Sequence, residues 1–346
     1  MSEQMQRITL ASRPDGAPEA GNFRLETGPA PTPGDGEVLM RVHYMSLDPY
    51  MRGRMDDVKS YAAPVPIGGT MEAGTVGEVI ASNSPAFKPG DFAFGMGGWA
   101  THACLRAKEL RKLDPAHGPI TAALGVLGMP GFTGWYGLTK LGRPKAGETL
   151  VVAAATGPVG SMAGQVAKAA GLRAVGIAGG AEKCALAVEK FGFDACIDHR
   201  AYDTAGDLRK AVAAACPDGI DIYYENVGGK VFEAVLPLMN TFSRIPLCGM
   251  IAGYNLGALG GVNTSGPDRL PMLWRSILVK QMSVTGFIIS NHYDLYPAFL
   301  AEIGPKVASG EIAYLEDIAQ GLETAPATFI SMLNGGNRGK QIVKLI

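Results

Sequence analysis

The sequence predicts an α/β protein: a doubly wound parallel sheet joined to a second, β-rich domain. Three observations predict it. A short apolar run, 150–155, leads into Ala155, Gly157 and Gly160 at A-x-G-x-x-G spacing, followed by a small-residue helical segment. From about residue 125 onward, strand and helix patterns alternate until six strands have passed. Before that point the chain carries short strand patterns separated by Gly and Pro. Alternation of strand and helix implies parallel crossovers. Short strands punctuated by turn residues imply a small twisted barrel.

Composition narrows the function classes. A chain of 346 residues supports two domains and a large core. Lys plus Arg number 31 against 32 Asp plus Glu. That balance gives no electrostatic case for nucleic acid or an anionic membrane as partner. The first twenty residues are polar and broken by Pro14 and Pro18, with no signal-peptide pattern. No apolar run reaches the ~18 residues of a membrane span. A cytoplasmic protein without a membrane partner is expected. The five cysteines, Cys104, Cys184, Cys196, Cys216 and Cys248, are odd in number and form no C-x-x-C, so free thiols are expected.

Taken in order, strands are expected at 37–44, 74–80, 87–94 and 99–105, each bounded by Gly or Pro. The second region opens with the strand at 150–155 and a helix over 157–170. Strands at 172–178, 195–198, 220–224, 242–247 and 283–288 follow, with helices at 181–191, 203–216, 230–239 and 270–280. Residues 256–272, rich in Gly and Pro, read as a specificity loop. The tail carries a helix at 296–309, an extended run at 312–318, a helix at 325–333 and a last strand at 340–346. It is expected to return to the first domain.

The glycine turn is the first chemical signal. A strand, a bare turn and a helix in that order let backbone amides and a helix N-terminus meet a pyrophosphate. NAD-specific sheets place an acid ~20 residues later, on the ribose 2′-hydroxyl. Here the second strand ends in Ala178, Gly179 and Gly180, so a 2′-phosphate meets no carboxylate. Lys183 can reach that phosphate as a point charge. Arg200, past the third strand, adds a second cation. Glu182 reads as a first-turn helix carboxylate. NADPH is therefore preferred over NADH.

Eight motifs carry a closer resemblance, in order over nearly the whole chain from about residue 37. They are Ser46-Leu-Asp-Pro-Tyr-Met-Arg-Gly53, Leu127-Gly-Met-Pro-Gly-Phe-Thr-Gly134, Ala153-Ala-Ala-Thr-Gly-Pro-Val-Gly160 and Gly164-Gln-Val-Ala-Lys168. Gly179-Gly-Ala-Glu-Lys-Cys184, Tyr224-Glu-Asn-Val-Gly-Gly229, Cys248-Gly-Met-Ile-Ala-Gly-Tyr-Asn255 and Asn334-Gly-Gly-Asn-Arg-Gly-Lys340 complete the set. Together they resemble the zinc-independent medium-chain dehydrogenases/reductases, in the branch of leukotriene B4 12-hydroxydehydrogenase/prostaglandin reductase, alkenal double-bond reductases and curcumin reductase.

The resemblance implies a GroES-like barrel over residues 1–126 plus 306–346, a Rossmann NADP-binding domain over 127–305, and a homodimer. It implies that Gly157, Pro158 and Val159 line the pyrophosphate, with Gly179, Lys183, His199 and Arg200 around the adenosine phosphate. The family usually has Tyr where this chain has His199, which can still hydrogen-bond or stack. Asn226, Val227, Cys248 and Gly249 would lie along the cofactor, with Phe287, Ile288 and Ile289 toward the nicotinamide. Met129, Pro130 and Thr133 would face the cofactor, and Asn337 would reach it from the tail. Tyr254 and Tyr50 would face the substrate.

No metal is expected. Where zinc members of the superfamily carry Gly-His-Glu, this chain has Gly68-Gly-Thr-Met-Glu72, and no closely spaced cysteine cluster exists. A hydride acceptor without a Lewis acid needs other polarisation. A C=C conjugated to a carbonyl fits: hydride reaches the β-carbon, charge develops on oxygen as an enolate, and a donor must meet it. Tyr254 is the first candidate donor and Tyr50 the second, and the cofactor ribose hydroxyl remains a third source of the proton. The expected function is NADPH-dependent reduction of α,β-unsaturated ketones and aldehydes. A quinone reductase is the near alternative. A non-catalytic NADPH-binding sensor or structural protein is the alternative of another class.

Overall fold

The computed structural model describes residues 4–257 and 268–346, apart from the His117 side chain. The described residues of Met129–Gly253 and Asn263–Leu315 form one compact unit. Those of Met1–Gly128, Tyr254–Val262 and Glu316–Ile346 form the other.

The first of these is built on a six-stranded sheet. In spatial order its strands are Ala195–Asp198, Arg173–Ala178, Thr149–Ala153, Ile220–Tyr224, Met239–Leu247 and Ser283–Gly286. Every neighbouring pair is parallel. The sheet is the doubly wound one expected, with its order reversing between Thr149–Ala153 and Ile220–Tyr224. In such sheets the carboxyl ends of the strands at that reversal are where ligands bind. The central strands are apolar on both faces because helices cover both: all five residues of Thr149–Ala153 are buried.

The helix Pro158–Ala169 follows the first strand, with Pro158 at its first turn and Gly157 as N-cap. Its Gly164 lies against the Phe193 ring, 2.0 Å from where a Cβ would stand, so that glycine serves packing between helix and sheet. The sequence reading did not anticipate the helix Met129–Tyr136. Three glycines within Met-Pro-Gly-Phe-Thr-Gly-Trp-Tyr-Gly lower local helix propensity, but tertiary packing overrides it. A Cβ at Gly134 would stand 2.4 Å from the Val159 carbonyl oxygen, and one at Gly137 would stand 2.3 Å from the Tyr224 hydroxyl. The helix therefore crosses Pro158–Ala169 at backbone contact distance, and the Tyr224 hydroxyl closes the junction by donating to the Thr133 carbonyl at 2.7 Å.

The second unit holds a seven-stranded sheet. The strands Glu316–Gln320, Lys340–Lys344, Glu37–Ser46, Thr75–Ser82, Phe92–Gly95 and Arg111–Leu113 follow one another, and His102–Arg106 pairs with Glu37–Ser46. The first pair is parallel and the rest antiparallel. A hairpin sheet of Gln4–Leu10 and Phe23–Pro29 adds Ile8, Leu10 and Phe23 to a core shared with Trp99 and Phe329. The sequence reading missed this hairpin, whose strands are mixed in polarity and separated by Pro14 and Pro18.

The tail returns later than expected. Residue 306 lies inside the helix Tyr296–Ala308. The expected run 312–318 is a strand only from Glu316. The physical reason is Gln165, whose side-chain amide accepts from the Ala313 N–H at 2.7 Å and donates to its carbonyl at 2.9 Å, holding that segment on the Rossmann unit. The expected loop over 256–272 falls largely on 258–267, outside the described residues, and the helix Leu270–Lys280 begins within its span.

Candidate functional site

The glycine turn has the form a pyrophosphate needs. Ala154 turns the chain with φ of 54°, and Gly160 packs against it: a Cβ there would stand 2.4 Å from the Ala154 carbonyl oxygen. Gly157 is different. A Cβ at Gly157 would meet only that same oxygen, at 3.4 Å, so internal crowding does not account for this glycine. The space beside it is open, and the N-terminal amides of Pro158–Ala169 lie next to it.

The end of the second strand gathers cations. A Cβ at Gly179 would stand 2.9 Å from Arg200 Nε and 3.2 Å from His199 Nε2, so the bare glycine admits both side chains. Lys183 stands on the first turn of Ala181–Glu189 and acts electrostatically on His199. The Asp198 carboxylate, at the end of the third strand, accepts from the Gly180 amide at 2.7 Å and the Arg200 amide at 2.9 Å. Lys230 braces the loop from the side, donating to the His199 carbonyl at 3.0 Å and to the Tyr202 carbonyl. Burial pushes the His199 imidazole down, and Lys230 and Arg200 push the same way. At neutral pH this ring is a neutral hydrogen-bonding and stacking surface.

At the strand-order reversal, one residue the sequence reading passed over organises the site. Glu225 is 2% exposed. Its Oε1 accepts from the Val227 amide at 2.6 Å, the Gly228 amide at 2.9 Å and the Tyr223 hydroxyl at 3.1 Å. Its carbonyl accepts from the Cys248 and Gly249 amides at 3.0 and 3.1 Å. The neighbouring Asn226 donates to the Ala153 carbonyl at 2.8 Å. Three strand ends are thereby joined, and Asn226, Val227, Cys248 and Gly249 come together on one edge. A buried acid flanked by small turn residues was the available signal. Cys248 is no nucleophile, since burial pushes its thiol up to about 12.

Beside them, Thr133 is buried, with its hydroxyl donating to the Met129 carbonyl at 2.7 Å; Pro130 is buried and Met129 half-buried. Phe287, Ile288 and Ile289 are half-buried, just past the strand Ser283–Gly286. The Phe287 ring lies 5.5 Å from Tyr136, which stacks on His292 at 4.3 Å.

In the other unit, Tyr50 precedes the short buried helix Met51–Arg54. Burial raises its hydroxyl well above the ordinary tyrosine range, with Asp48 and Glu72 adding to the shift, so Tyr50 stays a proton donor. Arg54 stands 5.5 Å over the Tyr50 ring and 3.2 Å from Glu72. The turn before Tyr50 is pinned by a buried ion pair, Lys340 Nζ to Asp48 at 2.8 Å, with Ser46 donating to the same carboxylate. Tyr254 lies half-buried in the helical turn Ile251–Leu256, and a Cβ at Gly16 would stand 4.0 Å from the carbonyl of its neighbour Asn255. Asn337 is half-buried and donates to the Gly339 carbonyl at 2.7 Å.

Comparison with known proteins bears on this arrangement. Residues 6–113 match the family described as the N-terminal domain of oxidoreductase, and residues 158–303 match the zinc-binding dehydrogenase family. The chain is 52% identical to an NADPH-dependent curcumin reductase of Escherichia coli, over 100% of this chain and 99% of that one. It is 39% identical to a 2-alkenal reductase (NADP(+)-dependent) of Nicotiana tabacum, over 90% of this chain and 88% of the relative. The crystal structure of CurA from Vibrio vulnificus in complex with NADPH superposes with a TM-score of 0.92 at 50% identity, covering 99% of each chain. The chain belongs to the zinc-independent medium-chain dehydrogenases/reductases.

Within this family the metal question turns on particular residues. Among the described residues no three His, Cys, Asp or Glu side chains form a group that could hold a metal ion. Glu72, in the segment where zinc members carry ligands, is paired with Arg54 instead.

Glu225 yields a prediction. Burial raises its carboxyl above the ordinary range, and the amides and Tyr223 pull it down by less. A raised folded-state pKa means that its contribution to stability is complete at low pH and falls as pH rises through that value. Glu225→Gln, which keeps an acceptor and removes the charge, should therefore gain in Tm relative to the parent as pH rises. Glu225→Ala orphans three donors at about 1–3 kcal/mol each and should lower Tm at every pH, with weaker NADPH binding. An alanine variant as stable as the parent would remove Glu225 from this account.

Proposed function

We propose that the chain reduces the C=C bond of α,β-unsaturated ketones and aldehydes with NADPH. The observation that carries the cofactor is the cluster around Gly179, where Lys183, His199 and Arg200 gather while Asp198 is tied to backbone amides. The curcumin and 2-alkenal reductases among its relatives support the substrate class. Gly157, Pro158 and Val159 would hold the pyrophosphate. Asn226, Val227, Cys248 and Gly249 would flank the cofactor, with Met129, Pro130, Thr133 and Asn337. Phe287, Ile288 and Ile289 would give it an apolar wall.

Bound NADPH supplies a hydride to the β-carbon of the enone. The protein's part is to meet the charge that develops on the carbonyl oxygen, where a preplaced donor acts most strongly. Tyr254 fills this role, with Tyr50 as a second hydroxyl kept protonated by burial, Asp48 and Glu72. Five free cysteines suit a reducing compartment, the cytoplasm. No helix among the described residues is long and apolar enough to cross a membrane. A homodimer would be formed through the outermost strand, Ser283–Gly286, exposed along its length, and the adjoining Trp274, Leu278 and Val279, exposed by 64%, 78% and 59%.

Three outcomes are expected. Lys183→Ala raises the KM for NADPH and spares that for NADH; equal losses would show that Lys183 does not read the phosphate. Tyr254→Phe lowers enone turnover at least several-fold with NADPH binding little changed; unchanged turnover would remove Tyr254 from the mechanism. Trp274→Asp shifts the protein from dimer to monomer by light scattering; an unaltered mass would place any subunit contact elsewhere.

A further inference from the structure

Two of the five thiols meet. Cys184 lies in the first turn of the helix Ala181–Glu189, next to Lys183. Cys196 lies in the strand Ala195–Asp198, which leads directly into His199 and Arg200. The Gly180 amide at the start of that helix donates to Asp198, two residues past Cys196, at 2.7 Å, and the two thiols perturb each other. Gly176, the register partner of Cys196 in the neighbouring strand, makes room: a Cβ there would stand 3.1 Å from the Cys196 sulfur. Both thiols are half-buried, not sealed, and neither belongs to the residues assigned to the cofactor or the substrate. They bridge the two segments that bring Lys183 and the His199–Arg200 pair to Gly179.

We propose that Cys184 and Cys196 form a reversible disulfide with a low-molecular-weight disulfide as oxidant, and that this bond weakens the adjoining 2′-phosphate site. The second half rests on the reading of Lys183, His199 and Arg200 given above. The exchange balances. One thiol loses its proton and attacks the external S–S bond, releasing one small thiolate and leaving a mixed disulfide. The second thiol, deprotonated in turn, displaces the remaining small thiolate. The pair gives up two protons and two electrons, and the oxidant leaves as two thiols. Burial raises both thiols, Cys196 further than Cys184, so Cys184 attacks first and the exchange is slow. Disulfide sulfurs stand about 2.05 Å apart, inside any thiol–thiol hydrogen bond. Closing the bond therefore draws the first turn of the Lys183 helix toward the third strand and changes the spacing of the cations.

The test uses the full chain, reduced and then incubated with oxidised glutathione. Peptide mapping after alkylation should find a linked pair containing Cys184 and Cys196. The KM for NADPH should rise several-fold with a smaller change for NADH, and dithiothreitol should reverse both effects. Cys184→Ser, or Cys196→Ala if the first folds poorly, should show neither. A glutathione adduct without the linked pair, or a linked pair with the NADPH constant unchanged, would overturn the proposal. Failure of the phosphate reading shows separately, as an unaltered NADPH preference in Lys183→Ala while the linked peptide still forms.

Discussion

The edge of the Rossmann sheet at its strand-order reversal depends on one buried carboxyl group. Glu225 sits where the fourth strand ends, and its side chain and carbonyl together take five donors, four from the two neighbouring turns and one from Tyr223 on the strand itself. A group this buried is costly to place unless it is fully satisfied, and the satisfaction is what shapes the edge. Val227 and Gly228 are curled back toward the carboxyl. Cys248 and Gly249 are drawn in from the fifth strand, and Asn226 is left to reach across to Ala153 at the end of the first strand. The ligand-binding reversal of a doubly wound sheet is a consequence of topology. Its usable surface here is a consequence of Glu225.

A similar use of a carboxylate occurs at the end of the second strand. Charge alone would make the Asp198 carboxylate an obstacle to a phosphate. It accepts from the Gly180 and Arg200 amides and serves as an architectural acceptor, while its charge still acts on His199 beside Lys183 and Arg200. Gly179 contributes by having no side chain, since a Cβ there would press on Arg200 and crowd His199.

Much of this was legible in the residues. The strand–turn–helix at 150–170 and the alternation that follows gave the parallel sheet, because buried strands and small-residue helices leave periodic traces. The motifs at 46–53 and 248–255 pointed to the candidate tyrosines. Other features left no local trace. The helix Met129–Tyr136 reads as glycine-rich loop and exists because Gly134 and Gly137 let it press onto Val159 and Tyr224. The strand boundary at Glu316 depends on Gln165, about 150 residues away in sequence. Glu225 looked like one acid among many because its burial and its five donors are tertiary facts. The pairing of Cys184 with Cys196 was likewise invisible in a sequence with no C-x-x-C.

The central claim is hydride transfer from NADPH to the β-carbon of a conjugated carbonyl, and the destination of the hydride tests it most directly. The enzyme would be supplied with NADPH deuterated at the transferable C4 position and a simple enone, and the product analysed by NMR. The account predicts a saturated ketone with deuterium at the β-carbon and a solvent-derived proton at the α-carbon. Deuterium on the carbonyl carbon of an allylic alcohol, or no transfer to any enone or enal tried, would contradict it.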